Sequence, residues 1–295
     1  MSETPSLPPS SLWSDAWRRL RRNRMAVLCS WVLAAIIVLC VCGLVFAGAR
    51  LTEINLQLGP QPPSASHWFG TDALGRDLFV RTLAGGSVSL AVGLVATAVS
   101  LVIGVIYGAV SGYFGGKTDA FMMRVVEIIQ SLPFMVLVII LIVVLQPKLK
   151  DHGQARLIVL FMVIGAIEWL TMARVVRAQV MNLAQHDFIS AARAMGASQS
   201  RIIFRHLIPN CLGPVIIYST LTIPAVMLTE AVLSFLGLGT QPPFSSWGVL
   251  IQEGADNMET RPWMLLFPAI FFSVTLFSFN FIGDGLRDAL DPKAK

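Results

Sequence analysis

Long uncharged stretches alternate with short polar ones along almost the whole chain. Six apolar runs stand out: Met25 to Ala49, Ser87 to Tyr113, Ile128 to Gln146, Leu157 to Ala173, Leu212 to Leu238 and Pro262 to Gly283. Each comes near or exceeds the roughly 20 apolar residues that a membrane-crossing helix needs. None breaks into the short alternating segments of a membrane barrel. The pattern predicts an all-α membrane protein with six transmembrane helices and both termini cytoplasmic. It divides the chain into a cytoplasmic N-terminal segment (1–24), a first transmembrane helix (25–49) and an extracytoplasmic loop (50–86). A five-helix core (87–283) follows, interrupted by a cytoplasmic loop (174–213), and a cytoplasmic tail (284–295) ends the chain.

Charge sets the orientation. The stretch "WRRLRRNR" precedes the first run, and the segments assigned to the inside hold fifteen Lys and Arg against seven outside. That bias obeys the positive-inside rule. One segment dissents, because "KLKDHGQAR" falls outside yet is basic. Residues 1–17 are rich in Ser and Pro and read as a disordered start. A cleaved signal peptide competes for the first run, with "AGA" at Ala47 to Ala49 as its cleavage site. The run exceeds the 7–15 residues of a signal core, which favours an uncleaved helix.

The cytoplasmic loop breaks the apolar pattern in a structured way. "NLAQHDFISAARAM" is rich in helix formers and free of Gly and Pro. Gly196 then supplies a left-handed stop, Ser198 caps a second short helix, and Pro209 is expected to end it. Two helices joined by a tight corner should therefore protrude from the membrane, and they serve either as a partner-binding knob or as a plain linker.

Composition narrows the classes. The 295 residues are 55% hydrophobic and 13% charged, against about 25% charged in soluble domains. The formal charge of +5 sits at the ends of apolar runs, not in a basic domain, which argues against nucleic acid. Cys29, Cys40, Cys42 and Cys211 read as small hydrophobes. "SGYFGGKT" at Ser111 to Thr118 misses the phosphate-loop pattern at its first glycine and follows a membrane run instead of a strand. His67, His152, His186 and His206 lie scattered without ligand spacing. "GDG" at Gly283 has no second intramembrane aspartate to form a catalytic pair. Nothing points to an enzyme, a metal site or an ATP site. Two acids lie within apolar runs, Glu168 and Glu230, where charge costs roughly 2.5–3.5 kcal/mol on insertion scales. Glu230 is the stronger candidate for a translocation path, because Arg174 places Glu168 nearer the interface.

With these residues in hand, the loop resembles the cytoplasmic loop of ABC-importer permeases, whose pattern is Glu-Ala-Ala, three residues, Gly, nine residues, then Ile-x-Leu-Pro. Ala191, Ala192, Gly196 and Pro209 match, while Ser190 replaces the glutamate and His206 the isoleucine. The stretches "HWFGTDALGRDLFVRTLAGGSVSLAVG", "GYFGGKTDAFMMRVVEIIQSLP", "LTEAVLSFLGLGTQPPFSSWG" and "GDGLRDALDP" are similar to the dipeptide/oligopeptide/nickel group of these permeases, C-type subunit.

The resemblance implies the ABC importer type I permease fold in the lipid bilayer of a bacterial inner membrane. It implies a homologous B-type permease, two ATP-binding subunits and an extracytoplasmic substrate-binding protein as partners. ATP and Mg would bind the ATPase subunits, with no cofactor on this chain. Ser190, Ala191, Ala192, Arg193, Gly196, Ala197 and Pro209 would form the ATPase-coupling element. Outside, "FGTDALGRD" and "TQPPFSSWGVLIQEGADN" are either a seat for the binding protein, with Trp247 as an apolar anchor, or clamps over the bundle mouth. A nickel or other small-solute permease and an ion-coupled secondary transporter are the rival readings.

Overall fold

A computed structural model describes residues 12–47, 53–145, 153–241 and 244–290. Among them the protein is helical, with one isolated bridge between Thr71 and Asp77. An amphipathic helix, α1 (Leu12–Arg22), precedes the first span, α2 (Arg24–Ala47). The disordered start expected over residues 1–17 is thus corrected from Leu12 onward. Repeated Arg opposite Leu20 and Ala16 gives this stretch a two-faced helical pattern. Asn23 separates the two helices and caps α2 by accepting the Ala26 N–H at 3.1 Å. Residues 48–52, which include part of the "AGA" stretch, and 146–152, which include most of the dissenting basic loop, lie outside the described residues.

The spine is α3 (Leu78–Phe114), 37 residues and so about 55 Å long, well beyond the bilayer core. It starts earlier than the apolar pattern indicated, because Asp77 caps it by accepting the Val80 N–H at 3.1 Å. It packs along α6 (Gly153–Leu183) through Gly104, Gly108 and Gly112, spaced four apart. A Cβ at Gly104 would stand 2.6 Å from Met172 Cβ, and one at Gly112 would stand 2.7 Å from the Arg177 carbonyl. Small residues at this spacing let two membrane helices meet backbone to backbone.

Between them the third apolar run departs from expectation. It is not one straight span but α4 (Gly116–Ser131) and α5 (Phe134–Leu145), bent by 86°. The cause is local: the Pro133 ring excludes the α conformation at the preceding residue, and Leu132 is extended at φ −78°, ψ 140°. Among the described residues five helices are long and apolar enough to cross a membrane, and six spans result when the bent pair counts as one.

After α6 come α7 (Asp187–Ala194), α8 (Gln199–Ile202), a π turn (Ile203–Leu207), α9 (Ile208–Asn210) and the fifth span α10 (Leu212–Phe235). An outer helix, α11 (Trp247–Ala255), and the last span, α12 (Trp263–Leu290), complete the order. α12 carries "GDGLRDAL" as continued helix past Gly283, so the tail predicted from 284 is helical to Leu290. The core falls into three clusters. One joins α2, α3, α10 and α12 around Trp247. A second joins α3, α5, α6 and α10. The third ties the α7–α9 segment to the cytoplasmic ends of α3 and α6.

Candidate functional site

The cytoplasmic corner is built as its residues dictate. The Ala197 N–H bonds to the Ala192 carbonyl at 3.1 Å and the Gly196 N–H to the Arg193 carbonyl at 3.0 Å. This closes α7 with Gly196 at φ 78°. Ser198 then caps α8, accepting the Arg201 N–H at 3.3 Å. Pro209, expected to stop the second helix, does not. Pro209 has no N–H to return to the preceding turn, but the π turn before it widens the helix there. The Asn210 side chain adds a bond of 2.6 Å to the His206 carbonyl. The chain therefore stays helical into α10.

The corner divides its residues between two faces. Ile189, Ala192, Ile202, Ile203 and Leu207 are buried against Val105, Ala109, Val176 and Val180. Ala192, expected among the residues approaching a partner, is 3% exposed and packs inward on its own bundle. Ser190, Ala191, Arg193, Gly196 and Pro209 are exposed, and Ala197 is half-buried. A Cβ on Gly196 would meet nothing within 4 Å. Met195 is 83% exposed at the tip, with Phe188 and Phe204 also uncovered. Arg193 folds back over the Tyr113 ring at 5.2 Å, joining the corner to the end of α3. Close by, the Arg177 guanidinium of α6 grips Asp119 of α4 through two bonds, and Ser111 donates to the same carboxylate at 2.6 Å. The knob is therefore rigidly mounted, because three cytoplasmic helix ends are pinned to one another beneath it.

On the outer face the two quoted segments are tied to each other and to the bundle. Asp72 accepts from the Arg76 Nε at 2.7 Å and from Arg81 at 2.6 Å. Arg81, 5% exposed, also reaches Glu253 of α11 at 2.6 and 3.1 Å. Trp263 Nε1 donates to the Thr71 carbonyl at 3.2 Å. "FGTDALGRD" and the segment around α11 are thus tied across most of the chain length into a clamp. Trp247, expected as an apolar anchor for the binding protein, is wholly buried. Its indole N–H donates to the Thr82 carbonyl at 2.8 Å, and its ring lies against Gly86, where a side chain would collide with it.

Glu230, expected on a translocation path, is instead fully enclosed. Ser246 donates to it at 2.6 Å, Ser234 at 2.8 Å and Ser89 at 3.5 Å. Those serines come from α3, α10 and the cap of α11, so Glu230 joins three elements where a path-lining acid would face open space. Glu168 lines a cavity beside the Leu132–Pro133 break. Sequence reasoning missed the Asp119–Arg177 latch and the Arg81 bridge. The four-residue glycine spacing in α3 is a local signal of the α3–α6 contact.

Together the bent span, the mounted knob and the clamped outer face describe a multi-pass helical bundle with a compact corner protruding from one end. Residues 100–295 match the family described as the binding-protein-dependent transport system inner membrane component, and residues 11–63 match the N-terminal TM domain of oligopeptide transport permease C. The chain belongs to the family of binding-protein-dependent transport system inner membrane components. It is 49% identical to the oligopeptide transport system permease protein OppC of Haemophilus influenzae, covering 99% of this chain and 92% of that one. It is 44% identical to the dipeptide transport system permease protein DppC of Bacillus subtilis, covering 98% and 88%. The solved inward-facing MetNI methionine ABC transporter matches with a TM-score of 0.54 at 21% identity, over 72% of this chain and 96% of that one, and so shares the fold.

Proposed function

We propose that this chain is the C-type permease subunit of an ABC importer that carries di- or oligopeptides inward across a bacterial inner membrane. The observation that carries the substrate class is near-full-length similarity, at 43–49% identity, to permeases named for oligopeptides and dipeptides. The translocation path forms between this chain and a homologous B-type permease. Two ATP-binding subunits supply ATP and Mg, and a substrate-binding protein delivers peptide from outside. This chain has no ATP site of its own.

The knob is the coupling element in this reading. Ser190, Ala191, Arg193, Gly196 and Ala197 form the surface presented to an ATPase groove, and exposed Met195 supplies an apolar tip. Ala192 and Ile189 transmit the motion inward, because they are packed on α3 and α6. ATP-driven closure of the ATPase pair displaces the knob, and the latch at Asp119 and Arg177 carries α4 with it. Rocking of the bundle follows if each state binds ATP or loaded binding protein differently.

The test is affinity purification from detergent-solubilised membranes, followed by reconstitution and uptake of labelled peptide. Co-purification of a second permease and ATPase subunits, with ATP-dependent peptide uptake, is the expected result. A stable lone chain without ATPase would overturn the proposal in favour of an ion-coupled transporter. Nickel uptake without peptide uptake would replace the substrate.

A further inference from the structure

Glu230 is fully satisfied by serines, which leaves Glu168 as the acid at membrane depth without an assigned role. It sits inside the apolar stretch Ile158–Leu183 of α6. Nine residues separate it from Arg177 at the cytoplasmic latch, roughly 13 Å of helix rise. Among the described residues Glu168 has no hydrogen bond or ion pair, and the hydroxyl of Tyr218 is its electrostatic neighbour. An acid in such a place faces a bundle interior or a watery cavity, and here the cavity is present.

That cavity, about 620 Å³, lies where the α4–α5 span breaks. Its walls include Gln130, Ser131 and Pro133 from the break, and Glu168, Thr171 and Arg174 from α6. The break itself requires such a space: non-helical backbone at membrane depth is tolerated where protein or a water-filled cavity covers it. α4 ends at the break, and its last residues Ile129, Gln130 and Ser131 line the same cavity as Glu168. Arg174 stands six residues further along α6, roughly 9 Å of rise toward the cytoplasm. One cavity therefore carries a negative pole and a positive pole, spaced like the two ends of a short zwitterion, within the usual 300–1,000 Å³ range of small-ligand sites.

We propose that this cavity is a peptide subsite on the translocation path, with Glu168 receiving the α-amino group and Arg174 the terminal carboxylate. The inference rests on the peptide-importer reading. The rival structural role, in which Glu168 is the counter-ion of a fixed charge on the partner permease, predicts indifference to the chemistry of the peptide's amino end.

The experiment uses the whole reconstituted complex carrying Cys42→Ser, which removes the exposed native thiol, and Ser131→Cys at the cavity wall. Trialanine at millimolar concentration should slow maleimide labelling of that cysteine several-fold, and N-acetyl-trialanine should not. Glu168→Gln should abolish the protection, and Glu168→Asp should retain it. At saturating loaded binding protein, Glu168→Gln should lower trialanine uptake at least ten-fold without changing the binding protein's own affinity.

Equal protection by the free and acetylated peptides overturns the proposal, and that comparison needs no change at Glu168, so it decides even if the Gln variant fails to assemble. Equal uptake by wild type and Glu168→Gln also overturns it. If the unmodified complex takes up no peptide at all, the importer reading fails and the subsite fails with it.

Discussion

Replacing Arg81 with Met tests whether the outer face is held by charge. The Arg81 guanidinium is nearly inaccessible and bridges Asp72, 1% exposed, to Glu253, 32% exposed. Both carboxylates touch the same nitrogen at 2.6 Å, so without it they face each other across no more than about 5 Å. Two like charges at that distance repel by roughly 3 kcal/mol at an effective dielectric of 20. Solvent at Glu253, with the Arg76 guanidinium 4.0 Å from it, reduces this to about 2 kcal/mol, and the lost charged hydrogen bonds add about 1–2 kcal/mol. Asp72 keeps Arg76 and the amides of Leu74 and Arg76, which limits the damage on that side. The expected loss for Arg81→Met is therefore about 3–4 kcal/mol.

The assay is denaturant unfolding of the purified complex, followed by fluorescence of Trp263 and Trp247, which both bond to the clamp or the start of α3. Adding Glu253→Gln removes the repulsion and should restore about 2 kcal/mol, so the double variant is more stable than Arg81→Met alone. A double variant that is less stable than Arg81→Met would refute this electrostatic account. So would an Arg81→Met protein indistinguishable from wild type.

Three further outcomes follow from the packing. Glu230→Leu leaves three serine hydroxyls without their acceptor and should cost about 3 kcal/mol, whereas Glu230→Gln keeps an acceptor oxygen and should cost less than half of that in the same unfolding assay. Gly108→Leu drives a side chain into the Ala173 backbone, so folded, membrane-extracted protein should fall below a tenth of wild type by size-exclusion yield, while Ala at the neighbouring lipid-facing Ile106 should not change it. Gly196→Ala forces a left-handed conformation on an L-residue for about 1–2 kcal/mol; the complex should assemble, but peptide uptake per ATP hydrolysed should drop several-fold, and unchanged coupling would remove Gly196 from the coupling element.

Much of the architecture could be read because its causes are local. A membrane span announces itself by the transfer energy of its own residues, and the corner at Gly196 and Ser198 follows from two side chains and a turn. The failures at Pro133 and Pro209 share one origin. Proline removes a donor in both, but at Leu132–Pro133 the pre-proline clash breaks the span, while near Pro209 a π turn precedes the proline and the helix continues. Sequence pattern counts prolines without knowing which compensation the neighbourhood offers.

Charge and aromatic residues went the same way. Trp247 and Glu230 looked like functional groups because an indole in a loop and an acid in a span are each conspicuous; both turned out to be satisfied inside the bundle by partners far away in the chain. By itself the sequence determined the helical membrane class, the apolar runs and the presence of a compact polar corner, since each depends on short-range hydrophobicity and turn chemistry. Only the tertiary structure decided which acid is enclosed and which faces a cavity, which loop residues are clamps, and which face of the knob is free. Those outcomes depend on what packs opposite, as when Arg81 meets a glutamate 172 residues away, and no local pattern encodes that distance.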